Sequence, residues 1–178
     1  MYPIRFEPIY QTYVWGGDRI ASRFHRKIDL PIVAESWEIS DRDDGMSIVM
    51  NGPFRSKTLH QLVLEMGEDL LGAGQKGTRF PILAKIIDAK ENLSIQVHPD
   101  ETMALSLQGE PKDEMWVMLD EGSVYAGLKP SVDEKQLKQA IEENRAEELL
   151  EKIDLKKGDV VNIPGGRVHA ICAGSLLY

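Results

Sequence analysis

A chain of 178 residues, 42% hydrophobic and 28% charged, has the composition of an ordinary globular protein and can bury one core of fair size. Its formal net charge of −8, with no run of Lys or Arg, excludes the electrostatic footprint of a nucleic-acid binder. The single cysteine, Cys172, excludes an intrachain disulfide and favours a reducing compartment. The N-terminus carries no basic segment followed by a long apolar one, and no stretch approaches the ~18 apolar residues of a membrane span. A cytoplasmic protein without a membrane or nucleic-acid partner is therefore expected.

Residues 1–20 hold Pro3, Pro8 and two short β-prone runs that end in the turn Trp15-Gly16-Gly17. Alternation over 34–40 (AESWEIS) predicts a strand, and 46–50 its partner after the turn at 41–45. Leu59, Leu62, Val63, Met66 and Leu70 recur at helical spacing, which predicts a helix over 57–71. The glycine-rich loop 72–79 lacks the Lys-Ser/Thr ending and the strand–helix setting of a nucleotide-binding loop. Strands are expected at 80–88, 93–97 and 114–119, with a short helical piece at 100–107. Ser131 and Glu134 at capping-box spacing, followed by Leu137, Ile141, Leu149 and Ile153, predict a long amphipathic helix over 131–152. A turn at 156–159 leads into a strand at 160–163, and Pro164-Gly165-Gly166 turns the chain into another at 168–171. No internal repeat or low-complexity linker interrupts this mainly β pattern.

Chemistry-bearing residues fall at the strand ends. Gln96 and His98 stand two apart on one strand, so both point to one face, and Ser94 shares it. Glu114 heads the next apolar run, and His169 follows the Pro-Gly-Gly turn. Two imidazoles, a carboxylate and an amide suit a divalent metal, with Zn²⁺ favoured and Fe²⁺, Mn²⁺ or Co²⁺ possible in the same donor set. Ser94 is a candidate substrate contact or a backbone-bonded strand serine; Arg167 is a candidate phosphate contact or a solvated turn arginine. Trp15, Trp37 and Trp116 belong to the core or line a sugar pocket. Glu35 and Glu38 face opposite sides of their strand, and His25 and His60 sit in no ligand spacing.

The run from Gly158 through Pro164, Gly165 and Gly166 to His169 resembles the second conserved motif of the cupin superfamily, with Ala173 where that motif ends in Asn. Gln96 stands where the first cupin motif has its first His, and Glu114 lies sixteen residues after His98. Together VWGG (14–17), AESWE (34–38), LSIQVHPDE (93–101), KDEMW (112–116) and IPGGRVHAI (163–171) resemble type I mannose-6-phosphate isomerases, in order and with the spacing of short bacterial forms. The resemblance implies a mainly β, jelly-roll-like cupin barrel with inserted helices. It also implies one zinc ion per chain held by Gln96, His98, Glu114 and His169. Lys112 matches a family lysine implicated in acid–base or ring-opening work. The implied reaction interconverts mannose 6-phosphate and fructose 6-phosphate through an enediolate. Lys112-Asp113-Glu114 departs from the Lys-Pro-Glu or Lys-Thr-Glu of many members; Asp113 should point away from Glu114, with little effect.

Family members continue past the equivalent of Tyr178 into a region with a catalytic arginine and a second cupin-like domain. The expectation is therefore the N-terminal portion of such an isomerase. Residues 1–178 would form a single metal-binding cupin domain with helical insertions at about 57–71 and 131–152. Two rival readings remain open at this point: a non-catalytic cupin that binds metal and sugar, and a cupin oxygenase using iron on His98, Glu114 and His169. No oligomeric state is implied.

Overall fold

A computed structural model describes residues 2–178. Backbone contacts divide them into two units, one running up to Val14 and over Asp18–Ile87, the other formed by Trp15–Gly17 with Asp88–Tyr178.

In the first unit, β1 (Ile9–Gln11) is followed by helix α1 (Arg19–Arg23), β2 (Glu35–Ile39), and the hairpin of β3 (Asp41–Arg42) and β4 (Gly45–Met46). Helices α2 (Leu59–Met66) and α3 (Glu68–Leu71) lead to β5 (Ala84–Asp88). Strand β2 pairs antiparallel with β1 and β5, placing Trp37 opposite Ile9 on one side and Lys85 on the other. The alternation of AESWE becomes two polar networks. Glu35, buried, accepts hydrogen bonds from Lys85 Nζ at 2.8 Å and Trp37 Nε1 at 2.7 Å. On the opposite face, Glu38 and Ser36 share the Arg26 guanidinium. A buried carboxylate is tolerated only with such partners, and Glu35 has them.

The helix expected over 57–71 forms but is divided at Gly67, whose φ of 52° is open to glycine at little cost. Its start is a capping box: Thr58 accepts from the Gln61 amide, and the Gln61 side chain accepts from the Thr58 amide. Leu59, Leu62 and Val63 supply the buried face. The strand expected at 46–50 is replaced by the short β4 plus single bridges from Ile48 to Thr58 and from Val49 to Phe6. Ser47 explains the break, because its hydroxyl and amide both bond to the Ser40 backbone.

The second unit contains β6 (Gln96–Val97), α4 (Glu101–Leu107), β7 (Glu114–Val117), β8 (Gly122–Leu128), α5 (Glu134–Glu142), a 3₁₀ turn at Ala146–Leu149, β9 (Leu150–Leu155), β10 (Val160–Ile163), β11 (Val168–Ile171) and β12 (Leu176–Leu177). Four strands form an antiparallel sheet in the order β6-β11-β8-β9, and β7 pairs with β10. Strand β12 runs beside the end of β7, bridging Leu177 to Met118. The Trp15 carbonyl accepts from the amides of Lys90 and Glu91. Beside it, a Cβ on Gly17 would lie 2.4 Å from the fully buried Asp88 carboxylate, which explains the glycine there.

Two expectations need correction. The helix predicted over 131–152 stops at Glu142, and its capping box is Asp133 with Gln136 rather than Ser131 with Glu134. Asn144, at a φ of 56°, breaks the helical path, and residues from Leu150 onward join β9 instead. Pairing with β8 engages one edge of 150–155 in ladder hydrogen bonds and buries Leu150, outweighing local helix propensity. Strand β8 is not expected from the sequence, since Gly122 and Gly127 blur its alternation.

Thr58→Ala should cost ~1 kcal/mol of stability by freeing the Gln61 amide. It should appear as a lower urea midpoint with an unchanged m-value. In the second unit, Tyr125 donates to Glu147 at 2.6 Å, and that bond, with burial second, pushes its phenol up to about 12. The neutral phenol is the favoured form, so this contribution to stability is complete below ~10 and fades as pH rises through about 12. A difference absorbance titration against Tyr125→Phe should locate that late ionisation, and Glu147→Gln should return it toward ~10.

Candidate metal centre

Three segments far apart in the chain are fastened together by backbone contacts. The Gly166 amide donates to the His98 carbonyl at 2.7 Å, and the Lys112 amide to the Pro99 carbonyl at 3.0 Å. The Gly165 amide donates to Asp113 Oδ1 at 2.8 Å. At Gly165 a Cβ would lie 2.7 Å from the Pro99 carbonyl oxygen and 2.8 Å from Asp100 Cα, so only glycine lets the turn approach this closely. The register β6–β11 then sets Gln96 directly opposite His169, and directly opposed residues share a face.

On that scaffold His98, Glu114 and His169 bring one donor atom each to within 4.8 Å of one another. His98 Nε2 lies 3.3 Å from Glu114 Oε1, and His169 Nε2 lies 3.5 Å from Glu114 Oε2. A four-coordinate ion with bonds of ~2.1 Å would hold neighbouring donors roughly 3.4 Å apart, so the spacing fits. His169 is buried, and its Nδ1 lies 2.8 Å from the Arg167 carbonyl. Donating its N–H there turns the Nε2 lone pair toward the cluster, the outer-shell arrangement of a metal-bound imidazole. Trp116 presses edge-on against the His169 ring, with centroids 5.5 Å apart, and walls this side with apolar surface.

Lys112 lies at the same point: its Nζ is 2.7 Å from Glu114 Oε1 and 2.8 Å from His98 Nε2. Burial works to raise the Glu114 carboxyl, but the Lys112 hydrogen bond and charge, joined by both histidines, outweigh it and hold it below the usual range. Burial first, then the Lys112 charge, pushes the His98 imidazole down despite Glu114. An ionised carboxylate and a neutral imidazole are the forms that donate lone pairs to a metal.

The other predicted residues are placed differently. Gln96 shares the His169 face, is exposed, and donates its amide N–H to Ser94 Oγ at 3.2 Å. Ser94 is thus bonded to a side chain rather than to the backbone. Arg167 is exposed, and its structural contribution is the carbonyl that orients His169. Trp37 and Trp116 are buried, and Trp15 half-buried. The expectation that Asp113 has little effect is corrected: pointing away from Glu114 is what lets its carboxylate tie the Pro-Gly-Gly turn to the start of β7. The available signal was a carboxylate on the opposite face from Glu114, suited to cap a turn amide.

Residues 4–114 match the family model for phosphomannose isomerase type I, catalytic domain. The chain is 36% identical over 178 residues to the mannose-6-phosphate isomerase of Streptococcus mutans, covering 98% of this chain and 56% of that protein. It is likewise 36% identical over 179 residues to ManA of Bacillus subtilis, also described as mannose-6-phosphate isomerase, with the same coverage. The chain thus spans a little over half the length of these curated relatives. The crystal structure of the Bacillus subtilis mannose 6-phosphate isomerase superposes with a TM-score of 0.89 at 35% identity, over 99% of this chain and 57% of that one. A Salmonella typhimurium enzyme bound to fructose 6-phosphate and zinc shares the fold, with a TM-score of 0.72 at 15% identity over 98% of this chain and 66% of its own. The mainly β, cupin-type architecture expected from the sequence is the one found.

Gly165→Ala should force the turn off Pro99 and Asp100 and weaken Co²⁺ binding by about 10–100-fold, the range for lost ligand orientation. Gly109→Ala, where an added Cβ meets nothing within 4 Å, is the control and should bind Co²⁺ as the parent does. The visible Co²⁺ absorption reports both.

Proposed function

Because the chain belongs to the type I phosphomannose isomerase family, we propose that it carries the metal-binding part of an enzyme interconverting mannose 6-phosphate and fructose 6-phosphate. The observation that supports this most directly is the convergence of His98 Nε2, Glu114 and His169 Nε2, with the Lys112 ammonium beside them. His98, Glu114 and His169, with the Gln96 amide oxygen as a fourth donor, would hold one zinc ion per chain. When bound, such an ion supplies Lewis-acid stabilisation of negative charge on a substrate oxygen.

The isomerisation moves a proton between C1 and C2 of the sugar through an enediolate, so it also needs a group that holds or delivers protons. Lys112 fills that role in this reading. Its head group would serve as the acid toward a sugar oxygen or as an electrostatic anchor. Ser94, exposed beside Gln96, would contact a sugar hydroxyl, and Arg167, exposed at the turn, would hold phosphate through its paired N–H donors. Buried Trp116 keeps the His169 side free of water, which strengthens the electrostatics of the site. No helix among the described residues is long and apolar enough to cross a membrane. With the single buried Cys172, this fits an enzyme of sugar metabolism in the cytoplasm.

The test is conversion of mannose 6-phosphate to fructose 6-phosphate by the zinc-loaded chain. Turnover should disappear with a chelator, return with Zn²⁺, and fall at least about 100-fold in Glu114→Ala. One tightly bound zinc without turnover would instead favour a binding module.

A further inference from the structure

His98 Nε2 is the focus of a competition. A neutral imidazole nitrogen offers one in-plane lone pair, which can accept a hydrogen bond or bind a metal, not both. In this structure that lone pair accepts from Lys112 Nζ at 2.8 Å, while the same ammonium lies 2.7 Å from Glu114 Oε1. Glu114 differs, because its two oxygens have room for several partners. Both atoms belong to the proposed ligand set, and a fixed positive charge there also repels a divalent cation directly.

We propose that Lys112 is an internal counter-cation of the metal centre: its ammonium competes with the metal for His98, and metal loading releases it from His98, leaving it on Glu114 or moving it into the substrate space. The inference rests on the metal-centre reading given above, and not on the isomerase activity. The build of the segment suits such a transfer. The Lys112 main chain is pinned by its amide to the Pro99 carbonyl, whereas its side chain is 45% exposed on a flexible four-carbon stem. The head group can therefore change partners while the backbone stays in place. Lys112 would thereby lower metal affinity.

Metal affinity measured by competition with a chromophoric chelator tests this without any turnover assay. Lys112→Met removes the charge and keeps most of the stem, so Zn²⁺ should bind roughly two- to tenfold tighter than to the parent, the range for losing one partly exposed charge contact. Lys112→Gln should move affinity in the same direction, and Lys112→Arg, which keeps the charge, should stay near the parent. The rise in Tm on adding Zn²⁺ should be larger for Lys112→Met. Adding Zn²⁺ to the parent should also change the rate at which Lys112 is acylated by an amine reagent, read by peptide mapping. Weaker or unchanged binding in Lys112→Met while the parent binds, or Lys112 acylation indifferent to Zn²⁺, would overturn the competition alone. Failure of both chains to bind Zn²⁺ would overturn the metal centre and this inference with it.

Discussion

The site depends on how closely the Pro164-Gly165-Gly166 turn lies against the Pro99–Asp100 backbone. Gly165 approaches so near that a single added carbon would meet main-chain atoms at 2.7–2.8 Å. Close approach alone would leave polar groups stranded, so the neighbouring bonds complete it: Gly166 to His98, Lys112 to Pro99, and Gly165 to Asp113. These contacts fix the spacing of His98, Glu114 and His169 before any side-chain preference acts. The imidazoles and the carboxylate are then aimed by the strands on which they sit.

Charge balance follows from the same placement. Glu114 and His98 are largely withdrawn from water, which by itself would favour a protonated carboxyl and a neutral imidazole. Lys112 offsets the cost for Glu114 and adds to it for a charged His98, leaving one carboxylate and one free-base imidazole beside a cation. The first unit handles its buried Glu35 in a comparable manner, with Lys85 and the Trp37 indole as partners. There the pair is packed and structural. Beside His98 the lysine is nearly half exposed and free to exchange partners.

The five sequence segments that carry the resemblance perform separate tasks. AESWE builds two carboxylate networks in the first unit, and VWGG packs glycine against the buried Asp88 in the second. LSIQVHPDE, KDEMW and IPGGRVHAI supply the donors and the backbone contacts that bring them together. The resemblance is thus spread over both architecture and chemistry.

The sequence by itself determined the parts governed by local rules. The turns at 156–159 and 164–166 placed β10 and β11, apolar spacing gave α2, and a spacing of two put Gln96 and His98 on one face. Chemistry named Gln96, His98, Glu114 and His169 as donors, and the structure draws the last three together. Only the tertiary structure decided that 150–155 is a strand, because its hydrogen-bond partner β8 is distant and itself poorly patterned. It alone decided that Asp113 anchors a turn fifty-two residues away and that Lys112 stands between His98 Nε2 and Glu114 Oε1. Side-chain periodicity records which face a residue occupies. Partners across strands are set by register and backbone approach, which no local pattern encodes.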